Sequence, residues 1–281
     1  MALSLSKQAV LSKIVRFVLL VIIVFIFFLP IVSMVVTSLK SMSELYRVPP
    51  VVFPRQPQWN NYIQAWTMIS YERFFFNSVV IAVFFTVPCI MGSCFTGYGF
   101  SRFRVKGRNA IFMVMLSTMM IPYMVTMVPL YLIISKTGLI DKRALWILFG
   151  IQGLPFLIFL FRQYFSTIPF SFEESARIDG ANRFQIFFRI MFPLVQTAVI
   201  IAAIFAFQWS WSNYLLPVLF LRGEKVTLAV KLATGYVDQK QNILHNIGMA
   251  GIVYYTLPIV IVFFALQRRF ISGLLSGGLK G

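Results

Sequence analysis

Six stretches of the chain hold no Asp, Glu, Lys or Arg: Phe17 to Leu39, Phe74 to Ser101, Ala110 to Ser135, Ala144 to Phe161, Leu194 to Leu221 and Ile247 to Leu266. A bilayer core of about 30 Å is crossed by about 20 apolar helical residues, so each stretch has the length of a membrane span. All eight acidic residues lie outside these stretches. A water-soluble domain carries roughly 25% charged and 45–50% apolar residues; here the figures are 12% and 59%, with 31 phenylalanines among 281 residues. These figures exclude a soluble enzyme, a secreted disulfide scaffold and a disordered tail protein. The fold class that remains is an all-α polytopic membrane protein with six transmembrane helices. The first stretch follows Lys7, Lys13 and Arg16, but it is too long for a signal peptide and no small-residue cleavage site follows Pro30, so it reads as a retained anchor.

Orientation follows from where positive charge gathers in short connections. With the N-terminus inside, the inner segments hold fourteen Lys and Arg against three acids, and the outer segments eleven against five. The densest group is Arg102, Arg104, Lys106 and Arg108. Both termini are therefore expected in the cytoplasm: a terminal segment 1–16, a permease domain 17–270 with an inner loop at 165–193, and a flexible tail 271–281. Cys89 and Cys94 form no CxxC pair, no Cys/His cluster suggests a metal, and the positive charge never forms the stripe a nucleic acid would need. Between Lys40 and Arg73, Pro49, Pro50, Pro54 and Pro57 lead into Trp59, Tyr62 and Trp66, a texture suited to the outer headgroup zone. Pro88, Pro122, Pro129, Pro155, Pro217 and Pro258 interrupt spans, as in helices that kink or line a cavity, although isolated prolines are also ordinary in membrane helices.

The loop between the fourth and fifth spans carries the informative motif, Ser171-Phe-Glu-Glu-Ser-Ala-Arg-Ile-Asp-Gly-Ala-Asn-Arg-Phe-Gln-Ile-Phe-Phe-Arg-Ile-Met-Phe-Pro193. Ser171 with Glu174 predicts a capping box, Gly180 a left-handed stop, and Asn182 with Gln185 a second box opening a second helix. On that helix Phe184, Phe187, Phe188 and Met191 form an apolar stripe expected to bury against the spans. The first helix is expected to expose Glu173, Glu174, Arg177 and Asp179 on a compact knob. Periodicity alone fits a docking element or a plain interfacial helix.

Glu174-Ser-Ala-Arg-Ile-Asp-Gly-Ala181, followed by Ile190-Met-Phe-Pro193, resembles the EAA-loop signature of ABC importer permeases: a glycine, nine residues, an isoleucine, two residues and a proline. Ser175 replaces the usual first alanine. Ser101-Arg-Phe-Arg, Met120-Ile-Pro-Tyr-Met-Val-Thr-Met-Val-Pro129, Phe161-Arg-Gln-Tyr-Phe-Ser-Thr-Ile-Pro169 and Trp211-Ser-Asn-Tyr-Leu-Leu-Pro217 extend the resemblance to the carbohydrate branch, of the maltose-permease second-subunit type. The resemblance implies a subunit of the bacterial cytoplasmic membrane that pairs with a second permease, two cytoplasmic ATPase subunits and an extracytoplasmic solute-binding protein, to import a carbohydrate. ATP and Mg would reside on the ATPases, with no cofactor in this chain. It also implies that Glu174, Ala176, Asp179 and Gly180 form the coupling helix that docks on an ATPase.

No span contains an ionisable side chain, which disfavours a proton- or sodium-coupled carrier. Gln152, Gln208, Ser212 and Asn213, with Trp211, offer amides, a hydroxyl and an aromatic plane for a hydroxyl-rich solute, or for hydrogen bonds between helices. By helical angle Gln208, Trp211 and Ser212 share one face, with Trp209 and Asn213 on the next. Leu275-Ser-Gly-Gly-Leu279 mimics an ATPase signature, but no phosphate-binding loop accompanies it. His245 lacks a nearby nucleophile with a matching acid, so no catalytic residue is assigned. The competing classes are a stand-alone carrier or channel, and a membrane enzyme.

Overall fold

The computed structural model describes residues 2–278; the side chains of 2–9, 11 and 268–278 are left aside, and the ends of the expected tail and of the Leu275–Leu279 pentapeptide lie outside the described residues. In chain order the α-helices are α1 Ala2–Ser38, α2 Met42–Leu45, α3 Asn60–Thr67, α4 Tyr71–Arg102, α5 Arg108–Ser117, α6 Tyr123–Ser135, α7 Leu145–Ile151, α8 Pro155–Thr167, α9 Ser171–Ile178, α10 Arg183–Ile186, α11 Phe192–Leu194, α12 Gln196–Trp211, α13 Leu215–Phe220, α14 Leu228–Thr234 and α15 His245–Gly278. No strand occurs among the described residues, only an isolated bridge between Val237 and Ile243. Helix α1 passes position 16 without a break, and α15 continues to Gly278, through most of the segment expected to be a flexible tail.

Three helical segments, Ser12–Ser38, Tyr71–Arg102 and His245–Gln267, are long and apolar enough to cross a membrane without interruption. Two further expected spans are bent, by 102° between Arg108–Met120 and Tyr123–Ser135 and by 43° between Leu145–Ile151 and Pro155–Thr167; a third bend, of 79°, separates Arg183–Leu194, the second helix of the expected inner loop, from Gln196–Trp211 of the expected fifth span. Counting each bent pair as one crossing gives up to six. The causes are local. A residue before proline is pushed out of the helical region, and Ile121 before Pro122 (ψ 118°) and Leu154 before Pro155 (ψ 131°) are both extended. The third bend follows Pro193 at Val195. Pro30, Pro88, Pro129 and Pro258, by contrast, lie inside continuous helices.

The chain divides into two compact units. One comprises the residues up to Tyr71 with Leu232–Thr256. Asn61 Nδ2 donates to the carbonyls of Ser38 (2.7 Å) and Lys40 (3.0 Å), Asn246 Nδ2 donates to Lys40 (3.1 Å), and the Tyr236 hydroxyl donates to Ala65 (2.7 Å). These side chains satisfy carbonyls left open where α1 and α3 end.

The other unit, Glu72–Lys231 with the residues from Leu257 on, holds the main core. Its centre is α4 against α7 and α8, packed backbone to backbone. A Cβ on Gly150 would lie 2.4 Å from the Phe85 carbonyl oxygen, one on Gly97 2.6 Å from the Phe161 Cβ, and one on Gly92 2.0 Å from the Ile151 carbonyl oxygen. Small residues permit such approach where lipid supplies no hydrophobic drive between helices. At one edge Asn77 takes Arg143 on its oxygen (2.6 Å) and donates to the Glu224 carbonyl (2.7 Å), while Lys225, hydrogen bonded to Asp141, holds that carboxyl below its ordinary pKa.

Gly97→Ala is expected to lower the melting temperature of the purified protein by several degrees, because its methyl meets backbone and Cβ atoms that cannot move aside. Gly99→Ala, whose methyl meets only the Phe103 ring at 3.8 Å, is expected to leave it unchanged or raise it, since alanine is the better helix former. Fluorescence-detected thermal unfolding in detergent checks both.

Candidate functional site

The loop after α8 folds as a helix, a glycine turn and a second helix. Helix α9 closes with a Schellman arrangement: Gly180 N–H donates to the Arg177 carbonyl (3.0 Å) and Ala181 N–H to the Ala176 carbonyl (2.9 Å), with Gly180 at φ +82°. Asn182 and Gln185 then exchange their two cap hydrogen bonds, 2.8 and 2.9 Å, as expected. The first predicted box does not form. Phe170, with helical backbone angles, precedes the helix, so Ser171 already lies inside it and cannot take the extended conformation a cap requires.

Two further expectations are corrected. Glu173 is buried rather than displayed: its Oε1 lies 2.8 Å from Arg102 Nε, both side chains being 3% exposed, and its Oε2 accepts from the Tyr98 hydroxyl at 3.1 Å. The close charges are not aligned as a good hydrogen bond, so the contact is chiefly coulombic. Arg102 Nη2 also donates to the Ile168 carbonyl at 2.8 Å, and its guanidinium covers the Phe170 ring at 4.5 Å. The expected Phe184, Phe187, Phe188 and Met191 stripe is broken, because Phe187–Met191 form a π-turn. Its wider repeat brings Ile186, Phe187 and Met191 inward and leaves Phe184 and Phe188 exposed. Phe187 stacks on Phe95 (4.4 Å) and meets Tyr98 edge-on (5.2 Å). One face of α4, Phe95, Tyr98 and Arg102, thus holds both arms of the loop. Of the residues assigned to coupling, Ala176 is buried against this body, while Glu174, Asp179 and Gly180 are exposed. Ala176 and Asp179 border a shallow groove of about 300 Å³ with Ser171, Phe172, Ser175 and Ile190.

A larger cavity, about 770 Å³, opens where three helix breaks meet. Met119 and Tyr123 flank the α5–α6 break, Leu154 and Pro155 the α7–α8 break, and Ser212, Asn213 and Tyr214 the end of α12. Gln208, Ser212 and Asn213 line it with Trp209 and Phe205. Gln152 is exposed outside it, and Trp211 turns away to pack on Phe75 and Phe207. The lining face of α12 runs Phe205, Gln208, Trp209, Ser212, the i, i+3, i+4, i+7 pattern, one position round from the face expected. Trp209 stacks on Phe85 at 4.6 Å, and Asn213 Oδ1 accepts the Leu216 N–H at 3.0 Å, closing the turn into α13. Among the described residues no group of His, Cys, Asp and Glu is placed to hold a metal ion.

Sequence reasoning missed Arg102 and Glu173. Helical spacing carried the signal: Glu173 and Ala176, three apart, share the buried side of α9, and Arg102 ends the long apolar helix beside it.

Apolar helices broken around a cavity, with a jointed arm held to one end of the core, define a membrane transport component. Residues 89–275 match the family described as the binding-protein-dependent transport system inner membrane component, and the chain belongs to that family of ABC importer permeases. The arabinooligosaccharides transport system permease protein AraQ of Bacillus subtilis strain 168 is 37% identical over 260 residues, 91% of this chain and 92% of AraQ. The melibiose/raffinose/stachyose import permease protein MelC of the same organism is 34% identical over 257 residues, 90% of this chain and 92% of MelC. A chain in the crystal structure of a bacterial ABC transporter involved in the import of the acidic polysaccharide alginate superposes with a TM-score of 0.78 at 26% identity, covering 92% of this chain and 96% of that one. A stand-alone carrier or channel is not favoured.

A Cβ at Gly180 would meet nothing within 4 Å, so only its backbone angle restricts substitution. Gly180→Val, costing at least about 1–2 kcal/mol at positive φ, is expected to abolish transport. Gly180→Asn, a residue that tolerates this conformation, is expected to retain it. Uptake into vesicles carrying the complete transporter separates the two.

Proposed function

We propose that this chain is a multi-pass subunit of a bacterial cytoplasmic membrane, with six crossings and both termini in the cytoplasm. It pairs with a second permease to form the import path for a carbohydrate, and couples that path to two ATPase subunits through α9. ATP and Mg belong to those subunits, and solute is delivered by an extracytoplasmic binding protein. The observation that carries the coupling reading is the fastening of α9. A helix that must deliver a displacement has to be stiff and anchored, and here the Schellman turn, the Asn182 box and the buried contacts of Glu173 supply both. The exposed surface left for an ATPase is Glu174, Asp179 and the groove beside Ala176.

The carbohydrate assignment rests on the sugar transport systems to which AraQ and MelC belong and on the lining of the large cavity. Gln208 and Asn213 amides and the Ser212 hydroxyl next to the Trp209 plane suit a neutral, hydroxyl-rich solute, which hydrogen-bonds at its edge and stacks on its apolar face. The same cavity gives the broken helices a place to expose backbone without facing lipid.

Purified complex carrying Ser175→Cys is expected to crosslink to the ATPase through a short bifunctional thiol reagent; failure at this position and at Asp179→Cys would overturn the coupling assignment. Gln208→Ala is expected to lower carbohydrate uptake at least tenfold with the complex intact. Loss of assembly instead would make Gln208 a contact between helices. Asn213→Ala is the weaker probe, since it also removes the acceptor of the Leu216 N–H.

A further inference from the structure

Arg102 is the last residue of α4, and its guanidinium meets three parts of the segment that joins α8 to α9. It donates to the Ile168 carbonyl at the end of α8, covers the ring of Phe170, and pairs with Glu173 on the first turn of α9. Both charges are withdrawn from water, and Glu173 is further held by the Tyr98 hydroxyl from the same helix, α4. A surface ion pair exchanges partners with water and salt; here Glu173 also has Arg177 3.7 Å from its Oε2, whereas Arg102, 3% exposed, has no other acid among the described residues, so parting the two leaves a buried guanidinium unpaired. Elsewhere the loop is seated on α4 by stacked rings, Phe95 on Phe187, which can slide; at Arg102 and Glu173 the charge contact is flanked by two directed hydrogen bonds, Arg102 to the Ile168 carbonyl and Tyr98 to Glu173.

Helix α4 continues from this joint without a break. Seventeen residues back, about 25 Å at 1.5 Å per residue, Phe85 stacks on Trp209, which lines the large cavity. The same helix therefore touches the loop at one end and the cavity wall along its length.

Resting on the reading of α9 as the coupling helix, we propose that the buried Arg102–Glu173 pair is the joint through which displacement of α9 enters the transmembrane body, with α4 as the rod that carries it to the Trp209 wall. Arg102 and Glu173 are positioning residues: they touch neither ATP nor solute, and they set how much solute moves for each ATP consumed. A merely structural pair would change the amount of folded complex and leave that ratio alone.

The test is a complete transporter in proteoliposomes, with uptake of radiolabelled carbohydrate and phosphate release measured together. Glu173→Gln keeps the size of the side chain and one acceptor oxygen for the Tyr98 hydroxyl while removing the charge. It is expected to hydrolyse ATP while moving at least fivefold less solute per ATP. Arg102→Lys, which keeps the charge but cannot reach both the Ile168 carbonyl and Glu173, is the milder variant in case the first does not assemble, with a loss of at least twofold expected. An unchanged ratio in whichever variant assembles overturns the proposal, and so does a fall in protein yield with the ratio preserved. The Ser175→Cys crosslink to the ATPase, recorded on the same variants, separates the two levels. An unchanged ratio with the crosslink present removes the joint and leaves the coupling helix standing; an absent crosslink in the otherwise unaltered chain removes the coupling helix itself.

Discussion

Inside a bilayer no water is available to a backbone N–H or C=O, and this constraint governs the arrangement of the chain. Helices satisfy it by pairing those groups internally, which is why the six charge-free stretches are helical except at a few short breaks. Where a helix must break, the freed groups need a protein or aqueous lining. The breaks at Ile121, Gln152–Leu154 and Ser212–Tyr214 satisfy it together by converging on one cavity, and Asn213 caps the last of them through Leu216. The cavity and these three breaks are thus two expressions of one requirement, while the bend at Val195 lies apart from the cavity.

The loop on α4 answers a different demand. Charged groups seldom leave water unless they are paired, yet Arg102 and Glu173 do so together at the end of an otherwise apolar helix. Their burial fixes α9 to α4, while the neighbouring Glu174 and Asp179 stay in water. Adjacent acids thereby part, Glu173 facing the protein's interior and Glu174 facing outward. The π-turn at Phe187–Met191 works in the same sense: its extra residue per turn rotates Phe187 onto Phe95 and turns Phe184 outward.

Much of this was legible from residue order alone. The apolar stretches, the Gly180 stop and the Asn182–Gln185 box follow from local rules, and those rules act within a few residues. Pro122 and Pro155 marked two of the bends, but sequence could not tell them from Pro88 or Pro129, which the surrounding helices accommodate. The misplaced features depend on contacts between distant segments. Glu173 reads as a surface acid until Arg102, seventy-one positions earlier, is brought to it. Trp211 shares a face with Gln208 by helical angle, yet Phe75 and Phe207 draw it into the core, and Trp209 takes the cavity wall. Gln152 stands at the right break but is exposed outside the cavity.

The glycine contacts between α4 and the α7–α8 pair carry a consequence for how such a protein can diversify. With no layer of side chains between those backbones, at Gly92, Gly97 and Gly150, there is nothing to repack and almost no room for a neutral exchange. That slab is frozen as a unit. The cavity rim is different in kind, since Met119, Phe205, Gln208 and Tyr214 border open space there and a change of side chain meets no opposing backbone.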